Sequence, residues 1–225
     1  MGDVISLAEL RASRTAGGLR DLARSGRSPR LTFYFDLASP WTYLAAERAD
    51  RLFSTARWLP AIGDALSVGP GAADPRDDAL REAAERRAIE LGMPLVWPEA
   101  WPAIGRGAMR VAALAADQGR AAPFVLAASR LAFCGGYELD DPEILAEAAA
   151  AAGLRLHEAL AAAGQVGRDG AMERAALRLL RNGADALPAV TVGRLVFAGE
   201  PRLAEAAAAA AAPPPERRGS SGRRG

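Results

Sequence analysis

The 225-residue chain contains no lysine, so all 28 of its basic residues are arginine. It has one cysteine, Cys134, and one histidine, His157. The absence of lysine excludes lysine chemistry, and one cysteine excludes an internal disulfide or a Cys-x-x-C redox pair. One histidine leaves little for a zinc site or a Ser-His-Asp triad, and we expect no metal. We expect Cys134 to be small and buried, and His157 to lie on a helix surface.

Excess charge and long apolar runs are also missing. The formal net charge is +1, which gives no indication of a charge-driven partner such as nucleic acid. The longest apolar stretch, residues 206–212, is too short to span a bilayer, and the N-terminus shows no secretory signal. We therefore expect a soluble, cytoplasmic protein that has no membrane span.

The strand signals lie near the two ends of the core. "LTFYFDL" at residues 31–37 is an aromatic and β-branched run typical of a buried strand. Ser39 and Pro40 favour a helix start, because serine is a preferred N-cap and proline a preferred first helical residue. "ARWLPA" at residues 56–61 predicts a second strand. "LPAVTV" and "RLVFAG", on either side of Gly193, predict a closing hairpin.

Between these strands the pattern is helical. Amphipathic repeats with glycine and proline stops predict helices over 76–91, 107–118, 123–133, 142–152, 154–163 and 170–182. A last alanine-rich helix is predicted from Arg202. The order β-α-β, helical block, β-β-α is that of an α/β thioredoxin-like fold interrupted by an all-helical insertion.

This order divides the chain into four parts. Residues 1–29 form a mobile N-terminal extension, and residues 30–61 and 183–212 form the thioredoxin-like domain. Residues 62–182 form the helical insertion domain. Residues 213–225 are rich in proline, glycine and charge, which is the composition of a disordered tail.

"FYFDLASPWTYLA" resembles the opening of the 2-hydroxychromene-2-carboxylate isomerase family. This family is similar to kappa class glutathione transferases and belongs to the DsbA-like branch of the thioredoxin fold. The matching positions are Asp36, Ser39, Pro40, Trp41, Tyr43 and Leu44. Later stretches resemble the family in the same order, among them "RWLPAI", "WPAIGRGAMRVAALAA", "ELDDPEILAEAAAAAGL" and "ALPAVTVGRLVFAGEPRL". The resemblance covers roughly residues 31–208.

The resemblance implies glutathione as the cofactor. Redox members carry a cysteine at the position of Ser39, and serine cannot perform thiol–disulfide exchange. Ser39 would instead donate a hydrogen bond to the thiolate of glutathione, whose pKa a helix N-terminus lowers. That thiolate would add reversibly to the double bond of an aromatic enone acid, so that the bond can rotate between cis and trans.

The remaining site residues are also implied by the resemblance. Leu187 would pair its backbone with the cysteinyl part of glutathione, next to a cis bond before Pro188. Gly199, Glu200 and Arg202 would contact the same cofactor.

Other residues are expected to bind the aromatic substrate. The substrate would be flanked by Trp41, Tyr43 and Trp97. Of the two aromatic residues on the first helix, Trp41 and Tyr43, one is expected to belong to the core. For Trp97 and its neighbour Trp101, packing between the two parts of the fold is an equal alternative. Arg110 would hold a carboxylate, as Arg106 could too.

Two residues have structural alternatives. Arg110 is expected with greater weight to support the helical block. Asp36 is expected to satisfy nearby backbone N–H groups rather than to act in catalysis.

Departures from the family pattern leave other functions open. The segment after the second strand has neither the family's Gly-Asn pair nor its lysine, and Pro201 replaces an aspartate. Glu200 would substitute for that aspartate from one residue earlier. The alternatives to the isomerase are a kappa-like glutathione transferase and a non-catalytic small-molecule-binding protein that has lost glutathione. Homodimers are common in the resembling family, so a homodimer is also open.

Overall fold

The structure is a computed structural model that describes residues 30–63, 78–101 and 105–211. The predicted N-terminal extension (1–29) and disordered tail (213–225) lie outside the described residues, and both stay predictions. None of the helices in the described ranges is long and apolar enough to cross a membrane.

A mixed sheet of four strands forms the centre of the described structure. β1 (Leu31–Phe35) runs parallel to β2 (Arg57–Pro60) and antiparallel to β3 (Ala189–Val192), which pairs with β4 (Leu195–Ala198). The strand order is β2-β1-β3-β4. All four predicted strands are confirmed. The hairpin turns at Gly193, whose φ of 63° lies in the left-handed region that glycine adopts easily.

Eight α-helices in the described residues surround the sheet. They are α1 (Pro40–Leu52), α2 (Asp78–Leu91), α3 (Arg106–Asp117), α4 (Ala121–Phe133), α5 (Pro142–Ala151), α6 (Leu156–Ala163), α7 (Asp169–Arg181) and α8 (Leu203–Ala211). Short 3-10 turns, Val166–Arg168 and Glu200–Arg202, precede α7 and α8. The predicted helices are confirmed. The one expected over 154–163 begins at Leu156, because Arg155 has an extended backbone and is its N-cap.

The side chains of β1 alternate between the two faces of the sheet, and each face packs against a different set of helices. Phe33 and Phe35 lie on one face and belong to the largest buried cluster, together with residues of α1 and α8. Tyr34 lies on the opposite face and packs in a second cluster with residues of α7. Because successive strand residues point to opposite faces, this one strand supplies both apolar layers. Each fully buried phenylalanine contributes about 1.5–3 kcal/mol to folding.

The helical block shares its core with the sheet. The cluster around Phe33 also contains Ala108, Phe124, Leu145 and Ala159, which come from four helices between β2 and β3. The predicted fold class, a thioredoxin-like sheet with an inserted helical block, is confirmed. The domain boundaries between residues 61 and 62 and between 182 and 183 stay predictions.

Candidate active site

The turn between β1 and α1 is built around Asp36, which is 8% exposed. Its Oδ1 accepts a hydrogen bond from the N–H of Ala38 at 2.9 Å, and its Oδ2 accepts one from the N–H of Gly63 at 2.6 Å. Gly63 follows β2, so the carboxylate joins the ends of two parallel strands. A Cβ at position 63 would lie 3.0 Å from Oδ2, so glycine allows this close approach without displacing the carboxylate. The predicted structural role of Asp36 is confirmed.

The other N–H groups of this turn are bonded as well. The N–H of Asp36 donates to Thr42 Oγ1 at 3.2 Å. The N–H of Leu37 donates to Met109 Sδ at 3.3 Å, which connects the turn to α3. The N–H of Ser39 donates to the carbonyl of Asp36 at 3.1 Å. Since a buried N–H without an acceptor is costly, these bonds hold the turn in one conformation.

Ser39 occupies the N-cap position of α1, as predicted, but its side chain makes no capping hydrogen bond. Of the three residues that follow, two offer no N–H to this hydroxyl. Pro40 has no N–H, and the N–H of Thr42 donates to the carbonyl of Ser39 at 3.0 Å.

This arrangement leaves two donors at the start of α1. Among the described residues, neither the hydroxyl of Ser39 nor the N–H of Trp41 has a hydrogen-bond partner. Both lie at the positive end of a helix of 13 residues. Such an end favours an anion.

The segment before β3 reaches the same turn. The Leu187–Pro188 peptide bond is cis, which confirms the expectation drawn from the resemblance. The pairing of β3 with β1 ends at Ala189, so the backbone of Leu187 is not used in that ladder. A Cβ at Gly63 would lie 3.9 Å from Leu187 Cδ1, which places this segment beside the Asp36 carboxylate. Gly199 donates its N–H to the carbonyl of Pro188 at 2.8 Å.

Of the two tryptophans in the proline-rich loop, Trp101 packs against the turn and Trp97 packs on Trp101. Trp101 is 6% exposed and donates from Nε1 to the carbonyl of Ala38 at 2.8 Å. The ring of Trp97 lies 4.5 Å from that of Trp101, and its Nε1 donates to Glu85 at 2.8 Å. The guanidinium of Arg81 lies 4.8 Å from each ring centroid. Arg81 was not predicted from the sequence, since nothing in the pattern of α2 distinguishes it from the other arginines there.

Tyr43 belongs to the core, which confirms the expectation that one of the two aromatic residues of α1 is a core residue. Its side chain is 3% exposed and stacks on Phe133 with the ring centroids 6.0 Å apart. Its hydroxyl donates to the carbonyl of Pro94 at 2.7 Å, and burial raises its pKa to about 12. The residue therefore fastens α1 to the proline-rich loop. Trp41 is half-buried, and its contact with substrate stays a prediction.

The lone cysteine and the lone histidine are both on the surface. Cys134 is exposed because α4 ends there, with Cys134 as its C-cap residue, so the expectation that it is buried is wrong. His157 is exposed on α6, as predicted.

Arg110 supports the helical block. Its Nε and Nη2 donate to the two carboxylate oxygens of Asp169 at 2.8 and 2.9 Å, and its Nη1 donates to the carbonyl of Ala163 at 2.9 Å. These hydrogen bonds hold the pKa of Asp169 below its usual value. Arg106 pairs with Glu173 at 3.0 Å. The structural alternative for Arg110 is confirmed, and its predicted contact with substrate is wrong because its donors are committed between α3, α6 and α7.

Glu200 is enclosed in an ion cluster. Its side chain has no exposed surface, Arg87 binds its two oxygens at 2.9 and 3.0 Å, and Arg48 contacts Oε1. The predicted contact of Glu200 with glutathione is wrong, because the carboxylate joins α1 and α2 to the turn before α8. Arg202 donates to Glu205 at 2.7 Å, and its contact with the cofactor stays a prediction.

Comparison with known proteins agrees with this architecture. A family model of the DSBA-like thioredoxin domain matches residues 30–210. The chain belongs to the DsbA-like thioredoxin domain family. Among curated proteins, no sequence matches this DsbA-like chain.

Solved structures share its fold. A 2-hydroxychromene-2-carboxylate isomerase is 21% identical over 80% of this chain and 93% of its own, with a TM-score of 0.68. A protein from Streptomyces coelicolor, assigned as a DsbA oxidoreductase, is 20% identical over 76% of this chain and 84% of its own, with a TM-score of 0.55. A protein from Nitrosomonas europaea, assigned as a protein disulfide isomerase, is 18% identical over 76% and 88%, with a TM-score of 0.54.

Proposed function

We propose that this DsbA-like protein is a glutathione-dependent cis/trans isomerase that acts on an aromatic enone acid. The observation that carries the proposal is the pair of unbonded donors, the Ser39 hydroxyl and the Trp41 N–H, at the start of α1. The similar 2-hydroxychromene-2-carboxylate isomerase structure supports the choice of reaction within the fold.

The residues of the turn fit the thiol end of glutathione. Ser39 and Trp41 provide two donors for a thiolate, and Leu187 provides a backbone that lies outside the β1–β3 ladder. When bound, glutathione supplies a thiolate nucleophile that adds reversibly to a conjugated double bond. The protein's part is to keep that thiol deprotonated and oriented. Asp36 contributes by holding the turn, and hence both donors, in place.

Disulfide exchange by the protein itself is a poor fit. This reaction needs a cysteine thiolate in the turn, where this chain has Ser39. The one cysteine, Cys134, lies at the end of α4.

One observation favours a second function. Glu200 is enclosed by arginines and is unavailable to the amine of glutathione. A protein that binds a small acid without glutathione is therefore the alternative. A kappa-like glutathione transferase would use the same two donors to orient the thiolate of glutathione. It would differ from the isomerase in the electrophilic compound that this thiolate attacks.

The first experiment is calorimetric titration of reduced glutathione into the wild type and Ser39→Ala, with ultraviolet absorbance to detect bound thiolate. A hydrogen bond to a charged acceptor contributes about 1.5–3 kcal/mol. Ser39→Ala should therefore raise the pKa of the bound thiol by about 1–2 units and remove the thiolate band at neutral pH.

Ser54→Ala is the matched control, because Ser54 is exposed just beyond the other end of α1. It should leave the thiolate band unchanged. If the wild type shows no heat and no thiolate at millimolar glutathione, both glutathione enzymes are excluded and the acid-binding alternative stands. If thiolate forms, the rate of interconversion of cis and trans enone acids separates the isomerase from the transferase.

A further inference from the structure

Arg81 differs from the other arginines of α2 in its surroundings. Its guanidinium lies 4.8 Å from the ring centroids of both Trp97 and Trp101. Arg86 pairs with Glu82, and Arg87 pairs with Glu200. In the described part of the chain, no carboxylate pairs with Arg81.

Two acidic residues on the described part of α2, Glu82 and Glu85, lie near Arg81 in sequence, and both are engaged elsewhere. Glu85 lies four residues further along α2, which is the spacing of a helical ion pair. Its Oε1 instead accepts the indole N–H of Trp97 at 2.8 Å. Glu82 is paired with Arg86. Among the described residues, this half-buried cation therefore contacts two aromatic rings and no counter-charge.

This cation lies close to the proposed catalytic residue. Trp101, over which Arg81 stacks, donates its indole N–H to the carbonyl of Ala38, the residue before Ser39. One indole ring thus separates the guanidinium from the turn that carries Ser39. The rings of Trp97 and Trp101 and the guanidinium of Arg81 therefore lie at the edge of the candidate site.

We infer that Arg81 binds the carboxylate of an aromatic acid substrate and is its specificity-determining residue. The guanidinium supplies paired N–H donors in the geometry that a carboxylate accepts, and the half-buried ring of Trp97 supplies apolar surface for the substrate ring. A carboxylic acid is ionised at neutral pH, so an acid is favoured over a neutral analogue. The inference rests on the proposed function only in placing the substrate next to Ser39.

The test compares trans-cinnamate with the neutral trans-cinnamamide, each titrated by calorimetry into the wild type, Arg81→Gln and the control Arg86→Gln. Arg86 is an exposed arginine of the same helix. The wild type and the control should bind cinnamate more tightly than the amide by roughly 10- to 100-fold. Arg81→Gln should bind the two compounds about equally. The quantity compared is the ratio of the affinities for cinnamate and cinnamamide within one variant. A general loosening of the loop would weaken both affinities alike, so a change in this ratio reports the contact between Arg81 and the carboxylate.

A second titration, with reduced glutathione, separates this inference from the proposed function. Arg81→Gln should leave glutathione affinity unchanged, whereas Ser39→Ala should weaken glutathione binding and keep the preference for cinnamate over the amide. Loss of glutathione binding in Arg81→Gln, with the cinnamate preference intact, would assign Arg81 to a carboxylate of glutathione and overturn the inference. Equal wild-type affinity for the acid and the amide, or no binding of cinnamate at millimolar concentration, would overturn it as well.

Discussion

Replacing Glu200 by glutamine keeps the shape of a fully buried side chain and removes its charge. In the wild type the carboxylate accepts two hydrogen bonds from Arg87 and contacts Arg48. Burial, together with the guanidinium groups of Arg87 and Arg51, already lowers the pKa of Arg48. Without Glu200, Arg48 and Arg87 would face each other, and among the described residues the carboxylate that still pairs with Arg87 is the exposed Glu90.

The size of the effect follows from how far the cluster is buried. Removing one partner of a buried ion pair costs about 3–5 kcal/mol. The side chains of Arg48 and Arg87 are each 29% exposed, so water screens part of their repulsion. We expect Glu200→Gln to lower the free energy of unfolding by about 2–4 kcal/mol. Since the whole stability of a domain is about 5–15 kcal/mol, this is a large share.

Urea unfolding followed by circular dichroism measures this loss. Glu205→Gln is the matched control, because Glu205 is 57% exposed and pairs with Arg202 in the same part of the chain. It should cost less than about 1 kcal/mol. In a double-mutant cycle, Glu200→Gln and Arg87→Gln should show a coupling of about 0.5–3 kcal/mol.

Equal and small losses for the two glutamates would refute the reasoning. If Glu200→Gln unfolds with the free energy of the wild type but binds glutathione more weakly, Glu200 contacts glutathione rather than stabilising the fold. The experiment thus separates a structural role from a ligand contact for one residue.

Two further predictions concern pH. Arg110 holds the pKa of Asp169 low, so this carboxylate contributes stability above its unfolded pKa of about 3.9 and loses that contribution as the pH falls through the lowered folded value. Asp169→Asn should therefore destabilise the protein at neutral pH, with the difference from the wild type vanishing in acid; a difference independent of pH would contradict this. Burial raises the pKa of Tyr43 to about 12, so its contribution is complete below the usual pKa of about 10 and is lost as the pH rises through the folded value. In a spectroscopic titration, one of the three tyrosines should ionise last, and Tyr43→Phe should remove that phase; an unchanged curve would show that another tyrosine is responsible.

Local sequence signals predicted most of the fold. The apolar run through Phe33 and Phe35 predicts a buried strand by itself, because its side chains alternate between the two faces of the sheet and both faces are covered. Ser39 followed by Pro40 marks the helix start because both residues act on the adjacent backbone. The structural role of Asp36 was predictable for the same reason, since one of its acceptor bonds goes to a residue two positions away.

The partners of the charged residues could not be predicted, because they are distant in sequence. Glu200 and Arg87 are 113 positions apart, and Arg110 and Asp169 are 59 positions apart. Along the chain nothing distinguishes these side chains from charges that are simply solvated. The same holds for Arg81, which differs from its neighbours only through the tryptophans that the fold brings to it.

The hydrogen bonds within the β1–α1 turn explain why Ser39 can bind an external anion. Each N–H from Asp36 to Ser39 donates to an acceptor supplied by the chain itself. Pro40 contributes no N–H, so the donors that remain are the Trp41 N–H and the Ser39 hydroxyl. A turn held this firmly presents those donors without a further cost of ordering when an anion binds. Loosening it, for example at Asp36, would release additional N–H groups and weaken the preference for one anion position.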